Sequence, residues 1–279
     1  MRLITLTTDF GLADTYVGVM KGVILGIAPA ARLVDLTHAI APQDLLEASA
    51  RLEAAIPYFP PGTIHLVVVD PGVGTERAAL VVETDTGLFV APDNGVLTLP
   101  LLQFPARRAI RLGEAARRYF RQPVSATFHG RDVFAPIAAH LAAGVAPESL
   151  GESVPPELLF TLSVPEPQAG RDAEGRPTLH LHVLYADRFG NLITDLTAAR
   201  WAAWEQEVGD LDAGVTVQAG ETRWQGLART FAEVPIGRPL AYWGSAGRLE
   251  VAIRNGDAAQ TLGLSPGDPI LLAASKRGQ

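Results

Sequence analysis

The sequence predicts a two-domain α/β protein. Its N-terminal domain is expected to be doubly wound with a mostly parallel sheet, and its smaller C-terminal domain to be an antiparallel, barrel-like β structure. In the first half of the 279 residues, short β-branched runs alternate with segments of helical periodicity. In the second half, short strand-like runs are separated by glycine turns, which is typical of a barrel or a sandwich.

The elements of the first half follow one another in β-α-β-α-β order. They are the strand "LITLTTD", the helix "YVGVMKGVILGIAP" ending before Pro29, the strand "RLVDLTH", the helix "PQDLLEASARLEAAIPYFP" with Pro42 near its start, and the strand "TIHLVVVD". The last strand is apolar throughout, which indicates a sheet covered on both faces. Such an order is typical of parallel strands joined by right-handed crossovers.

A change in composition marks the domain boundary. The segment "LSVPEPQAGRDAEGRPT" is rich in proline, glycine and charge and has no periodicity. We therefore expect domains at residues 1–163 and 179–279, with a linker at residues 164–178. The predicted strands of the second domain are "LHLHVLYAD", "GVTVQAG", "LAYWGSAGRLEVAIRNG" and "DPILLA".

Composition excludes several classes of protein. With 48% hydrophobic and 19% charged residues the chain can bury a large core, so disorder is not expected. The chain has no cysteine, which excludes disulfides and thiolate nucleophiles. A net charge of −7 argues against a nucleic-acid partner, and the one basic cluster, "RRAIRLGEAARRYFR", is expected to be a solvated helix face. No signal peptide or membrane span is expected, and the cytoplasm is the default location.

Acidic residues stand near the carboxyl ends of the predicted parallel strands, where open α/β sheets bind ligands. Asp9 and Asp70 are each followed by a glycine turn, "DFG" and "DPG", and Asp35 lies within the second strand. A strand-end aspartate is commonly a turn former, so a structural role and a functional role both stay open for Asp9 and Asp70. No phosphate-binding glycine loop occurs, which argues against a polyphosphate ligand.

Three further segments carry polar residues between apolar flanks. "TFHGRDVFAP" places His129 at the start of a predicted helix, where a histidine suits either acid-base chemistry or a structural contact. "PDNG" has a strong turn signal, and "ADRFGNLITD" carries Asp187 and Asn191, residue types that commonly form turns. The histidines show no metal-ligand spacing, so no metal is expected.

Taken in order, these segments resemble one family. They are "TTDFG", "YVGVMKG", "DPGVGT", "PDNG", "TFHGRDVFAP", "DRFGN" and "WGSAGRLEVAIRNG". Together they look like the S-adenosylmethionine hydroxide adenosyltransferases, hydrolase relatives of the fluorinase and chlorinase enzymes. The resemblance runs through both domains, from about residue 7 to residue 256.

The resemblance implies a substrate site and an assembly. In this family adenosine lies between the N-terminal domain of one subunit and the C-terminal domain of its neighbour in a homotrimer. The residues that match substrate-binding positions are Asp9 on the ribose hydroxyls, Asp187 and Ser245 at the methionine end, Asn191 on the adenosine, and Phe231 with the backbone at Arg254 and Gly256 in the adenine pocket. Asp195 departs from the family, whose members often carry asparagine there, and its role is open.

The resemblance also implies the reaction. Asp70, Arg77 and His129 match the set that distinguishes the hydrolases, whereas the halogenases carry tyrosine in place of Asp70 and lack the histidine. The expected activity is hydrolysis of S-adenosylmethionine to adenosine and methionine by a water that attacks ribose C5′. Its leaving group is a neutral thioether, so no cofactor is expected. A halide-using adenosyltransferase and a non-catalytic binding module are the alternatives, and either Asp70 or His129 could be the base.

Overall fold

Apolar residues collect around separate cores in the two halves of the chain. The computed structural model describes residues 2–209 and 214–274. These residues belong to two units, Met1–Ser163 (unit 1) and Val164–Gln279 (unit 2). Within the described residues, every helix is too short or too polar to cross a bilayer.

Unit 1 contains seven strands and four α-helices among its described residues. The strands are β1 (Leu3–Thr8), β2 (Arg32–Thr37), β3 (Thr63–Val68), β4 (Ala79–Glu83), β5 (Gly87–Pro92), β6 (Arg108–Leu112) and β7 (Gly151–Val154). The helices are α1 (Tyr16–Ile27), α2 (Leu45–Ala55), α3 (Thr98–Gln103) and α4 (Ala135–Ala142). The sheet order is β2-β1-β3-β5-β4-β6-β7, and only β4 and β7 run against the direction of the other strands. The predicted mostly parallel sheet is therefore confirmed.

Helices cover both faces of this sheet, as a doubly wound fold requires. Leu66 and Val68 of β3 belong to one core with α1 and α4, whereas Val67 and Val69 belong to a second core with α2. Successive side chains of a strand point to opposite faces, so a strand buried on both faces is mostly apolar, and Thr63 and His65 are the buried polar residues of β3. Full burial of such a side chain stabilises the fold by roughly 1.5–3 kcal/mol.

Two local expectations for unit 1 are wrong. Helix α2 begins at Leu45 rather than near Pro42, because Asp44 is its N-cap and its Oδ1 accepts the Glu47 amide at 2.9 Å. The preceding Gln43 has φ 67°, which helix geometry excludes. The basic segment 107–121 contains strand β6 and a short 3₁₀-helix rather than one solvated helix, because pairing with β4 buries Ala109 and Ile110.

Unit 2 is an antiparallel β structure with two α-helices among its described residues. Its strands are β8 (Gln168–Arg171), β9 (Pro177–Ala186), β10 (Leu192–Thr197), β11 (Val215–Ala219), β12 (Thr222–Gln225), β13 (Pro239–Trp243), β14 (Arg248–Ile253) and β15 (Pro269–Ala274). The sheet order is β12-β11-β15-β9-β10-β14-β13, with β8 paired to β9, and the sheet is nearly barrel-shaped. The segment 164–178, expected as a linker, contains β8 and the start of β9, because a β-hairpin tolerates proline and glycine at its edge and turn.

The helices of unit 2 are α5 (Ala198–Val208) and α6 (Ala258–Leu262). Helix α5 has no counterpart in the sequence expectations. Thr197 caps it by accepting the Arg200 amide at 3.2 Å, and Trp204 is buried in the core of the unit. The exposed positions of the helix carry alanine as well as glutamate and glutamine, so the sequence shows no clear apolar stripe.

The structure shows a structural role for Asp195, the residue that departs from the family. Its buried carboxylate accepts the His182 amide at 3.0 Å and lies 2.9 Å from His182 Nδ1. Burial raises the pKa of Asp195, and the two contacts with His182 oppose that rise. The side chain ties β10 to β9.

His65, at the centre of β3, predicts a loss of stability in acid. It is packed against Phe89, and burial lowers its pKa from 6.5 to about 4. Between these pH values the unfolded chain binds a proton that the folded chain excludes, so stability falls as the pH falls, by about 3 kcal/mol at most. His65→Gln should reduce this pH dependence in urea unfolding measured across the window. The exposed His180→Gln is the control, and identical pH slopes for His65→Gln and the wild type would contradict the assignment.

Candidate active site

A cavity of about 370 Å³ opens in unit 1 at the carboxyl ends of two neighbouring parallel strands. Thr8 of β1 lies beside Val68 of β3 in the register, so Asp9 and Asp70 follow at the same edge of the sheet. The cavity is lined by Asp9, Phe10, Tyr16, Gln43, Val68, Asp70, Pro71, Val73, Thr127, Phe128, His129 and Gly130. The structure thus brings three of the sequence-predicted site residues, Asp9, Asp70 and His129, to one cavity.

Arg77 joins Asp70 and His129 in a single cluster. Its Nε donates to Asp70 Oδ1 at 2.8 Å, and its Nη2 donates to Asp70 Oδ2, which makes a bidentate ion pair. The same Nη2 lies 3.1 Å from His129 Nδ1. The side chains of Arg77 and Asp70 are only 11% and 5% exposed, and the Arg77 guanidinium lies over the ring of Phe134.

The contact with Arg77 determines where the proton of His129 lies. An arginine side chain has donors and no acceptor, so Nδ1 of His129 must accept and the neutral ring must carry its proton on Nε2. Burial lowers the pKa of His129 below 6.5, and the charge of Arg77 lowers it further, against a smaller opposite effect of Asp70. Neutral His129 with a proton on Nε2 is therefore the form at neutral pH.

His129 directly precedes a π-helical turn, Gly130–Phe134, which leads into α4. Such turns are rare and often mark functional sites. Asp132 within it is fully buried, accepts the Ser125 amide at 2.9 Å and forms a bidentate pair with Arg131. Arg131 and Asp132 therefore hold the loop that precedes His129.

The glycine turn after β3 brings Arg77 back toward Asp70. Gly74 has φ +78°, and a Cβ at this position would lie 2.3 Å from the backbone oxygen of Ala126. Glycine is required here both by the backbone conformation and by the close approach of the loop that leads to His129. The turn thus positions Arg77 beside Asp70 and packs against the loop that leads to His129.

Asp9, which also lines this cavity, is held by an unusual backbone. Its Oδ2 accepts the amide of Gln43 at 2.9 Å, and Gln43 adopts a positive φ that non-glycine residues rarely take. The rings of Phe10, Tyr16 and Phe128 contact one another with centroids 5.2–5.9 Å apart and form an apolar wall. The cavity therefore combines charged groups with a surface that repels water.

A second cavity, of about 780 Å³, lies in unit 2. It is lined by Asp187, Phe189, Asn191, Phe231, Tyr242, Gly244, Ser245, Glu250, Ile253, Asn255 and Gly256. Five of the sequence-predicted substrate-binding residues therefore lie together, namely Asp187, Asn191, Phe231, Ser245 and Gly256. Arg254 is not part of the lining; its Nη1 donates to the Val234 carbonyl at 2.6 Å and so fixes the segment that follows Phe231.

The carboxylate of Asp187 is largely used within its own turn. It accepts the amides of Phe189 at 2.8 Å and Asn191 at 2.9 Å, and the Asn191 side-chain amide at 2.9 Å. These three bonds define the turn between β9 and β10 and hold Asn191 at the cavity. Asp187 therefore forms a turn, one of the roles that its residue type suggested in the sequence.

Gln43, Tyr242 and Glu250 are among the cavity residues that sequence reasoning missed. The Tyr242 hydroxyl donates to Glu250 Oε2 across the strand pair β13–β14, and the Tyr242 ring packs against Phe231 with centroids 4.9 Å apart. The signal in the sequence is Glu250 itself, an acid in the apolar strand run "RLEVAI". An acidic residue within such a run needs a partner or a ligand.

Other polar residues that the sequence singled out lie outside the two cavities. Asp35 contacts Lys21 at 2.6 Å and His38 at 3.1 Å. The Asn94 side chain donates to the Val69 carbonyl at 2.9 Å and so supports the strand end that carries Asp70. Both positions are explained by structure alone.

The chain is similar to known proteins along most of its length. The model of the SAM hydroxide adenosyltransferase N-terminal domain matches residues 4–151, and that of the C-terminal domain matches residues 181–271. An (R)-S-adenosyl-L-methionine hydrolase of Thermus thermophilus is 46% identical over 98% of this chain and 100% of its own length. A fluorinase of an Actinoplanes species is 26% identical over 90% of each chain. The crystal structure of an uncharacterized conserved protein from Thermotoga maritima is similar with a TM-score of 0.85, at 37% identity, over 96% of this chain and 99% of that one.

Gly74→Ala tests the packing of the glycine turn. The new Cβ would collide with Ala126, whereas Gly62, at φ +82°, has no atom of the described chain within 4 Å of its Cβ position. Gly62→Ala should therefore cost the backbone conformation alone, roughly 1–2 kcal/mol, and Gly74→Ala distinctly more. Denaturant unfolding of both variants measures the difference. Equal losses of stability would show that the turn is not packed against the loop preceding His129.

Proposed function

The chain belongs to the SAM hydroxide adenosyltransferase family, and from that premise we propose that it hydrolyses S-adenosyl-L-methionine to adenosine and L-methionine. One observation carries the proposal: Asp70, Arg77 and His129 form a single partly buried cluster at a cavity where parallel strands end. A carboxylate, a histidine and an arginine held together beside an apolar wall suit the activation of one water molecule. The name of the Thermus thermophilus relative supports the same reaction.

The reaction needs a nucleophile rather than a leaving-group acid. The water oxygen forms a bond to ribose C5′ while the bond between C5′ and the sulfonium sulfur breaks, and both electrons of that bond stay on sulfur. The sulfonium becomes the neutral thioether of methionine, and the water loses one proton. No cofactor is needed to activate the leaving group, so the protein has only to position the water and accept its proton.

Asp70 is the group that accepts this proton in our proposal. Nδ1 of His129 is occupied by Arg77, and its Nε2 carries a proton, so His129 can donate a hydrogen bond to the water oxygen but cannot accept from it. Each carboxylate oxygen of Asp70 accepts one bond from Arg77 and retains a further lone pair. His129 orients the water, Asp70 takes its proton, and Arg77 holds both in place.

Substrate binding divides between the two cavities in this proposal. Asp9 accepts hydrogen bonds from the ribose hydroxyls, each worth roughly 1.5–3 kcal/mol to a charged acceptor. The cavity of unit 2 supplies the remaining contacts, through Asp187, Asn191, Phe231, Ser245, Arg254 and Gly256. We further propose that the protein is a homotrimer with its site at the subunit interface. It has no nucleic-acid or membrane partner and works in the cytoplasm.

A halide-using adenosyltransferase is the alternative within the family. A halide ion has no proton to lose, so a buried acid at the site of attack would repel it and serve no purpose. Asp70 therefore favours water over halide. A module that only binds the substrate would likewise have no use for the cluster.

Isotope labelling tests the reaction directly. In oxygen-18 water, the label should appear in the 5′-hydroxyl of the adenosine released, and methionine should carry none, because water attacks carbon and not sulfur. The assay is repeated with added fluoride and chloride, which should give no 5′-halogenated product. Release of unlabelled adenosine or of a 5′-halogenated nucleoside would overturn the proposal.

Variants of the cluster test the assigned roles. Asp70→Asn and His129→Ala should each lower the turnover rate by roughly 10²–10⁴, the effect of losing a proton acceptor or a positioning group. Arg77→Lys should also be impaired, because a point charge cannot replace the bidentate fork. Adenosine affinity, measured by calorimetry, should change little in all three.

A control variant and a pH profile make this test selective. His140→Ala, on α4 and outside the cavity, is the matched control and should keep its activity per folded molecule. In the wild type the rate should fall in acid with a midpoint below 6.5, because protonated His129 can no longer accept from Arg77. Full activity of folded His129→Ala would end the catalytic assignment.

A further inference from the structure

Glu250 introduces a carboxylate into the cavity of unit 2. Its neighbours along β14, Leu249 and Val251, point into the core of the unit, so the alternation of the strand turns Glu250 to the other face. On that face it stands directly opposite Tyr242 of β13. Both residues line the cavity with Phe231.

One oxygen of this carboxylate has a partner, and the other is available. The Tyr242 hydroxyl donates to Oε2 and is, among the described residues, the hydrogen-bond donor to Glu250. Oε1 lies so close to Gly244 that a Cβ there would be 1.8 Å away, and glycine at this position leaves it the space. The phenol thus fixes the carboxylate and leaves Oε1 to accept from a ligand.

The charge of Glu250 is uncompensated within the cavity. Burial raises its pKa, and the nearby carboxylate of Asp187 raises it further, although the bond from Tyr242 acts in the opposite direction. Asp187 itself already accepts three bonds within its turn. A cationic ligand with N–H donors would satisfy Oε1 and relieve the repulsion between the two acids.

We propose that Glu250, fixed by Tyr242, binds the α-ammonium group of the substrate's methionyl end. This inference rests on the proposed function, because that function supplies the ligand. The substrate carries two cationic centres, but only the ammonium has N–H donors for a carboxylate oxygen. The sulfonium must lie beside C5′, where the Asp70 cluster acts. Glu250 is therefore a specificity-determining residue that separates an amino-acid-bearing adenosyl compound from a plain nucleoside.

Two ligands separate ammonium recognition from every other contact. S-adenosylhomocysteine keeps the α-ammonium and α-carboxylate but has no sulfonium charge, whereas 5′-methylthioadenosine lacks the amino-acid part. In calorimetry, Glu250→Gln should weaken S-adenosylhomocysteine binding by roughly tenfold to a hundredfold, the value of a hydrogen bond to a charged group. Binding of 5′-methylthioadenosine should stay within about twofold, since the change is nearly isosteric.

Two further variants sharpen the result. Glu205→Gln removes the same charge from the exposed surface of α5 and should bind both ligands as the wild type does. Tyr242→Phe keeps the ring against Phe231 but removes the bond to Glu250, so it should show a smaller loss confined to S-adenosylhomocysteine. In turnover, Glu250→Gln should raise KM for S-adenosylmethionine by more than it lowers kcat, because the ammonium contact is the same in the ground state and the transition state.

The outcomes are distinguishable. Equal affinity of Glu250→Gln and the wild type for S-adenosylhomocysteine, in an enzyme that releases adenosine, would overturn this inference and leave the proposed function intact. Equal losses for both ligands, with a lower melting temperature, would show a purely structural role and also overturn it. A wild-type protein that releases no adenosine and binds neither ligand would overturn the proposed function and this inference together.

Discussion

The bidentate ion pair between Arg77 and Asp70 is the interaction on which the rest of the site depends. Asp70 stands at the end of a strand whose position is set by two apolar cores, one on each face of the sheet. Arg77 reaches it only because a glycine turn reverses the chain within seven residues. The same guanidinium contacts His129 and so selects its tautomer. Breaking this one fork would release the acid, remove the constraint on the proton position of the histidine and leave a buried charge unpaired.

Each group that we propose as catalytic has a single task because a neighbouring residue restricts it. His129 could serve as acid, base or structural residue in isolation, but an arginine at Nδ1 leaves it only an Nε2 donor. Asp70 could be a turn former, but its side chain binds the guanidinium of Arg77 and lines the cavity. The charge of the Asp70 side chain is stable here because the carboxylate is paired with the guanidinium of Arg77.

The two cavities place different demands on their acids. In unit 1 the acid, Asp70, is paired with the guanidinium of Arg77, and we propose it as the proton acceptor. In unit 2 Glu250 has only a neutral phenol as its donor among the described residues, so its charge calls for a cation. A carboxylate in a cavity without a cationic partner lowers the stability of the ligand-free protein. Binding of a cationic ligand at Glu250 would offset this loss.

The sequence by itself determined the fold class, the order of the main elements and the strand-end aspartates, because periodicity and turn chemistry are local properties. It also carried the family resemblance. That resemblance grouped Arg77 and His129 with Asp70, although Arg77 and His129 are 52 residues apart in the chain. Only the tertiary structure decided that residues 108–112 form a strand paired with β4 and that Glu250 faces Tyr242. Register, burial and hydrogen-bond partners arise between distant segments, so no local pattern specifies which cavity a side chain enters or which of its atoms stays free.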